Sequence, residues 1–404
     1  MTSSKYVILG GGMVAGYAAK ELAGRGLKPG ELAIISGEHE VPYERPPLSK
    51  GFLAGKDDEA GIRINPADFY RNHAIELLLG ETVTAIDTER RALKLKSGKD
   101  HFFDNLIIAT GATPRALTIP GAELNGIFYL RSLEDSKRIR EHAARAKHAI
   151  VLGAGFIAME VTAVLAQAGI ETTMVVRSDR VMKNVFTPAM SRMFEQYFSG
   201  RGVGFLTQSE VKEARGDGAI ASVVLSDGTV RRCDLLVAGI GVEPVTKFLD
   251  GSGLEIDNGV VVNQNLETSV PGIYAAGDVA NYYDTLYGVR RRVEHWDNAV
   301  SQGQHCARTV TGDRSPFVHV PYFFSDVFDL SYEYWGDSSG AEQTVERGDP
   351  DSTSYSVWWL KNDRLVAAFA MNRPDAERQA APKWIESKKP ITAYEIKGET
   401  WLTA

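Results

Sequence analysis

Two copies of one pattern limit what this chain can fold into. The first runs from Lys5 to Glu38. An apolar run, Tyr6-Val7-Ile8-Leu9, leads into a turn, Gly10-Gly11-Gly12-Met13-Val14-Ala15. A helix-compatible stretch follows, Tyr17 to Arg25, then a second apolar run, Leu32-Ala33-Ile34-Ile35. Strand, glycine turn, helix and strand in that order spell a βαβ unit of the kind that holds a dinucleotide. Gly10 allows the tight turn. Gly12 has no Cβ, so a pyrophosphate can lie against the backbone, and Ala15 lets helix and strand pack closely. The helix N-terminus offers unpaired N–H groups to phosphate. Glu38 closes the unit 22 residues after Gly16, where an acid accepts hydrogen bonds from a ribose hydroxyl pair.

The pattern recurs. Ala149-Ile150-Val151-Leu152 reads as a strand and Gly153-Ala154-Gly155-Phe156-Ile157-Ala158 as the turn. A helix is expected over Met159 to Ala168 and a strand over Glu171 to Val176. Two intact turns favour two bound nucleotides over one duplicated fold with a lost site. The tip of the second unit is Arg177-Ser178-Asp179-Arg180, with Lys183 just beyond. Arg177, Ser178 and Lys183 suit a 2′-phosphate, which argues for NADPH over NADH. Asp179 dissents.

Three further apolar runs end in small residues that let backbone approach a ligand. They are Asn105 to Ala109 followed by Thr110-Gly111, Leu235 to Ala238 followed by Gly239-Ile240-Gly241, and Ile273 to Ala276 followed by Gly277-Asp278. Asp278 stands where α/β folds bind ligands; the alternative is a helix cap. Pro42-Tyr43-Glu44-Arg45-Pro46-Pro47-Leu48-Ser49-Lys50 carries three prolines, so a shaped loop is expected there. From Ser315 on, aromatics concentrate and Tyr355 to Leu360 and Leu365 to Ala370 alternate, which predicts a separate antiparallel sheet domain.

Composition excludes several classes. The 404 residues carry 45 basic and 52 acidic side chains, net −7, which gives no attraction to nucleic acid or an anionic membrane. Cys233 and Cys306 form no C-x-x-C motif, so neither a disulfide framework nor a metal site is expected. With only four residues before the first strand and no long apolar run, a cytoplasmic protein without targeting segment or membrane span is expected.

These motifs together resemble the FAD- and pyridine-nucleotide-dependent reductases built like glutathione reductase. The nearest likeness is to the ferredoxin-reductase, monodehydroascorbate-reductase and apoptosis-inducing-factor branch. The likeness rests on Gly10-x-Gly12, the Pro42–Lys50 loop, Ala109-Thr110-Gly111, Gly153-x-Gly155-x-x-Ala158-x-Glu160, Ala276-Gly277-Asp278 and Val293-Glu294-His295-Trp296. It implies an α/β fold with two Rossmann-like domains and a C-terminal α+β domain. The FAD domain is then 1–115 with 245–319, the NAD(P)H domain 116–244, and the interface domain 320–404.

Carried over, Glu38 holds the adenosine ribose of FAD, and Arg45 and Lys50 lie along the flavin side. Val83 and Arg131 match FAD-contact positions, and Asp278 bonds the ribityl chain. Glu294, His295 and Trp296 approach the isoalloxazine ring. Gly153, Gly155, Phe156, Ile157 and Gly241 belong to the NAD(P)H side. Lys50 and Glu160 are expected to form an ion pair beside the reacting centre.

Disulfide reductases of this superfamily carry a cysteine pair where this chain has Pro46-Pro47-Leu48-Ser49-Lys50. Electrons are therefore expected to leave for an external acceptor, a ferredoxin- or rubredoxin-type protein. The alternatives are monodehydroascorbate or a quinone as acceptor, and a redox-sensing interaction protein. Against ascorbate, Val300 and Phe324 stand where the plant enzymes carry an arginine and a tyrosine. Arg290-Arg291-Arg292 is either a docking patch for an acidic partner or a strand with structural ion pairs. Monomer and homodimer both remain open.

Overall fold

The computed structural model describes residues 2–398 and 400–403. The chain forms two compact units. One contains residues 1–45, 59–113 and 243–321, the other 46–58, 114–242 and 322–404.

The first unit is built on a sheet whose parallel strands lie in the order Glu76–Leu79, Leu32–Ser36, Thr2–Leu9, Asp100–Ile108 and Ile273–Ala275. Tyr6 pairs with both Leu32 and Asn105, so the strand that begins the chain sits inside the sheet. Its last residues, Val7, Ile8 and Leu9, are buried, as expected for a strand covered on both faces. The strand Asp100–Ile108 changes partner along its length. Its start pairs antiparallel with Ala92–Leu95, and its end runs parallel to Ile273–Ala275. The helix Met13–Gly24 follows the first strand. The helix Trp296–Val310 packs alongside it, with Gly303 against the backbone of Val14.

The second unit repeats this plan. Its parallel sheet has five strands, in the order Gly204–Thr207, Glu171–Val176, His148–Leu152, Leu235–Ala238 and Ile127–Phe128. The helix Phe156–Gln167 follows the central strand. In the same unit, residues 322–371 form the antiparallel sheet foreseen from the alternating aromatics. Its order is Tyr322–Val327, Leu330–Gly336, Arg364–Met371, Ser354–Lys361 and Gln343–Asp349. Phe186 and Phe194 each meet Tyr332 and Phe369 edge-on in one apolar core that joins this sheet to the parallel one. The proline-rich loop is not wholly irregular: Pro46–Ser49 forms one 3-10 turn.

Candidate active site

Each central parallel strand ends in a glycine corner, and the two corners share a design. Gly10 has φ +125°, and an added methyl would run into the carbonyl of Ala109. Gly153 has φ +117°, and an added methyl would run into the carbonyl of Gly239. Only glycine permits that close approach. It sets the Ala109-Thr110-Gly111 turn beside the first corner and the Gly239-Ile240-Gly241 turn beside the second. Gly111 accepts a backbone bond from Val245, and Gly241 accepts one from Arg115.

The next glycine that matters at each corner, Gly12 or Gly155, is a helix N-cap without a side-chain cap, and neither helix has an acid in its first turn. A Cβ built on Gly12 meets only the Arg45 guanidinium, 3.8 Å away, and one on Gly155 meets nothing within 4 Å. Both helix ends thus keep N–H groups facing a cradle that a side chain would have filled. That fits the pyrophosphate of a dinucleotide at each corner.

Around the first corner, Glu38 is gripped from two sides. Tyr43 Oη donates to its Oε2 at 2.5 Å, and the Arg45 guanidinium pairs with its Oε1 at 2.5 Å. Arg45 also lies over the Tyr43 ring, 4.8 Å from its centroid. Met13, Val14 and Ala15 are buried, and Met13 Sδ accepts a bond from the Arg45 N–H. Asp278 sits in the 3-10 turn Gly277–Val279, and Gly277 abuts Val14. Val83 is buried at the start of a strand.

His295 is the N-cap residue of the helix Trp296–Val310, and burial pushes its pKa down to about 4, so it is neutral at pH 7. Glu294 pairs with Arg292 at 2.6 Å. Trp296 Nε1 donates to Glu44 Oε2 at 2.6 Å, and Tyr17 Oη donates to Glu44 Oε1 at 2.7 Å. Burial, and then Glu44, hold the Tyr17 hydroxyl well above its ordinary pKa, so it stays a donor.

The remaining residues of the expected set belong to the second unit. Lys50 Nζ lies 2.8 Å from Glu160 Oε1, and only 1% of the Glu160 side chain is exposed. A buried carboxylate needs all its lone pairs served. Ser325 Oγ donates to Oε1 at 2.6 Å, and Ser49 Oγ donates to Oε2. The Lys50 ammonium also lies 5.4 Å from the Phe324 ring centroid. Neither serine stood among the residues expected from the sequence. A signal existed for Ser325. It shares the inward face of its strand with buried Val327, and a hydroxyl there must find a partner.

At the second corner Phe156 is partly buried and Ile157 is 46% exposed. Arg177 pairs with Glu210 at 2.9 Å, and Lys183 pairs with Asp179 at 2.8 Å. Ser178 Oγ donates to the Arg180 carbonyl. Arg131 donates its backbone N–H to Asp135, beside the capping box of Ser132.

The basic run 290–292 is engaged inside the first unit. Arg290 donates to the carbonyls of Val262 and Asn281, Arg291 pairs with Asp284, and Arg292 donates to the Asp278 carbonyl. Of the two roles considered for it, these contacts describe the structural one. Cys233 and Cys306 are both free and buried. Among the described residues no helix is long and apolar enough to cross a membrane.

Comparison with known proteins gives this geometry a family. Residues 4–303 match the family Pyridine nucleotide-disulphide oxidoreductase, and residues 322–400 match Reductase C-terminal. Monodehydroascorbate reductase of Solanum lycopersicum is 34% identical over 98% of this chain and 97% of its own length. The ferredoxin reductase for the CYP199A2 system from Rhodopseudomonas palustris superposes with a TM-score of 0.94 at 34% identity, covering 99% of both chains. The reductase of the covalent putidaredoxin reductase–putidaredoxin complex gives a TM-score of 0.94 at 30% identity, over 99% of this chain and 97% of that one. This chain belongs to the pyridine nucleotide-disulphide oxidoreductase family and is an FAD- and NAD(P)H-dependent flavoprotein reductase.

Proposed function

We propose that the chain passes electrons to a ferredoxin-type iron–sulfur protein. The observation that carries this reading is a pair of residue identities. The Pro46–Lys50 turn holds no cysteine, and an indole, Trp296, follows the Glu294-His295 pair. When bound, FAD accepts a hydride from NAD(P)H and releases the two electrons singly.

The roles of the chain's own residues follow. Gly12 and the helix behind it hold the FAD pyrophosphate, while Glu38, oriented by Tyr43 and Arg45, receives the ribose hydroxyls. Gly155 and its helix hold the pyrophosphate of NAD(P)H. Lys50, aligned by Glu160, offsets the negative charge that develops during flavin reduction. Trp296 lies on the exit route for electrons.

The putidaredoxin reductase complex supports an iron–sulfur partner by likeness. The resemblance to monodehydroascorbate reductase favours a second acceptor, but Val300 and Phe324 offer an anionic substrate neither cation nor hydroxyl. In a steady-state panel of a [2Fe–2S] ferredoxin, ascorbyl radical and a quinone, ferredoxin is expected to give the highest kcat/KM. Trp296→Phe should lower it about tenfold without changing flavin reduction. A higher kcat/KM for ascorbyl radical would overturn the reading.

We further infer a preference for NADPH. The rim of the second corner carries Arg177, Arg180, Lys183 and Lys212 against Asp179 and Glu210. Cations outnumber carboxylates, and 88% of the Arg177 side chain is exposed. Arg177→Ala is expected to raise KM for NADPH about tenfold and leave KM for NADH unchanged. Equal changes in both would remove Arg177 from phosphate recognition. A reducing cytoplasm suits the two free thiols.

A further inference from the structure

Tyr43, Glu44 and Arg45 are consecutive, and their side chains divide between two sets of partners. Tyr43 and Arg45 turn one way and grip Glu38. Glu44 turns the other way, and its two oxygens are divided between Tyr17 and Trp296. The backbone beneath is fixed: Glu44 N–H donates to the Ile62 carbonyl at 2.7 Å, and Tyr43 bridges to Arg63. Tyr17 is equally fixed, on the helix behind the first glycine corner.

An indole has a single donor, and Trp296 spends it on Glu44. Trp296 is the first residue of its helix, joined to that helix by one flexible side chain. The bond from Nε1 to Glu44 adds a directional hold on the ring that packing does not supply. A charged acceptor makes the stronger bond, and Tyr17 holds that acceptor from its far side.

We propose that Glu44 is a positioning residue for Trp296, setting the indole plane through a Tyr17–Glu44–Trp296 clamp within the first unit. The proposal rests on the reading that Trp296 lies on the electron exit route. One loop then serves two ends of the same reaction. Tyr43 and Arg45 orient the acid that holds the cofactor's sugar, and Glu44 orients the ring that hands electrons on.

The test uses flavin-loaded protein carrying 5-fluorotryptophan. Its six tryptophans give separate fluorine resonances, and Trp296→Phe assigns the one of interest. Glu44→Ala should shift or broaden that resonance and slow reduction of a [2Fe–2S] ferredoxin about tenfold, with flavin reduction by NAD(P)H unchanged. Glu44→Gln should restore both, because the amide oxygen accepts from the indole while the amide N–H reaches Tyr17. Should Glu44→Ala fail to fold, Tyr17→Phe removes the far anchor and should move the same resonance.

An unmoved resonance overturns the clamp. A Glu44→Gln protein as slow as Glu44→Ala also overturns it, by showing that charge rather than orientation matters. If Trp296→Phe leaves ferredoxin reduction untouched, the exit-route reading fails, while the resonance shift still reports on the clamp.

Discussion

Replacing Lys50 with alanine is expected to slow flavin reduction by NAD(P)H on the order of a hundredfold in stopped flow. It is also expected to lower the thermal midpoint of the loaded protein. The first effect is the loss of the ammonium's charge; the second traces to one carboxylate. Glu160 is buried, and Lys50 is its cationic partner at 2.8 Å. Removing the ammonium leaves a buried charge, which costs about 3 kcal/mol in comparable pairs. The hydroxyls of Ser49 and Ser325 remain, each a neutral donor worth about 1 kcal/mol. They soften the loss without cancelling it.

Glu160→Gln is the informative companion to Lys50→Ala. It keeps an oxygen for the serines but deprives Lys50 of its countercharge, so the ammonium is free to swing. Its flavin-reduction rate should fall less than that of Lys50→Ala, since the cation is still present. A wild-type rate in Lys50→Ala would remove the residue from the hydride step, and a lowered midpoint alone would leave it a structural role.

The glycine corners could be read along the chain because a strand, a turn and a helix are neighbours in sequence. Gly10 and Gly153 announce themselves through local spacing, and the backbone confirms why: each approaches a carbonyl that a methyl would strike. The hydrogen-bond networks were not legible in the same way. Trp296 finds Glu44 across 252 residues, and Glu160 finds Ser49 and Ser325 across 111 and 165. Nothing periodic links such pairs; only the folded chain chooses them.

The charged runs allow two readings in sequence, and only the folded chain supplies their partners. Arg290-Arg291-Arg292 reads in sequence as either a docking patch or a strand with structural ion pairs, and Asp284 and Glu294 take up two of its members. Arg177 likewise has Glu210, from a different strand connection, as its partner.

Glu377→Ala is expected to destabilise the second unit by about 3–5 kcal/mol, the range for breaking a buried ion pair. Only 2% of the Glu377 side chain is exposed, and it faces two guanidiniums: Arg347 at 3.1 Å and Arg373 at 2.5 Å. Ser356 Oγ donates to its other oxygen, and Trp358 Nε1 donates to that same serine. Arg347 reaches on to the carbonyls of Ile396 and Gly398, which also accept from Trp401 Nε1. One acid therefore anchors the helix Asp375–Ser387, the sheet beneath it and the final turns of the chain.

Burial opposes ionisation of Glu377, but Arg373, Ser356 and Arg347 outweigh it and hold the carboxyl below its ordinary range. The sign of the pH dependence follows. A depressed folded pKa stabilises above the unfolded value, and that stability is lost as pH falls through the folded pKa. Urea titrations from pH 7 down into the acid range should therefore show wild type converging on Glu377→Ala. A gap that stays constant with pH would mean that packing, not charge, is what Glu377 contributes.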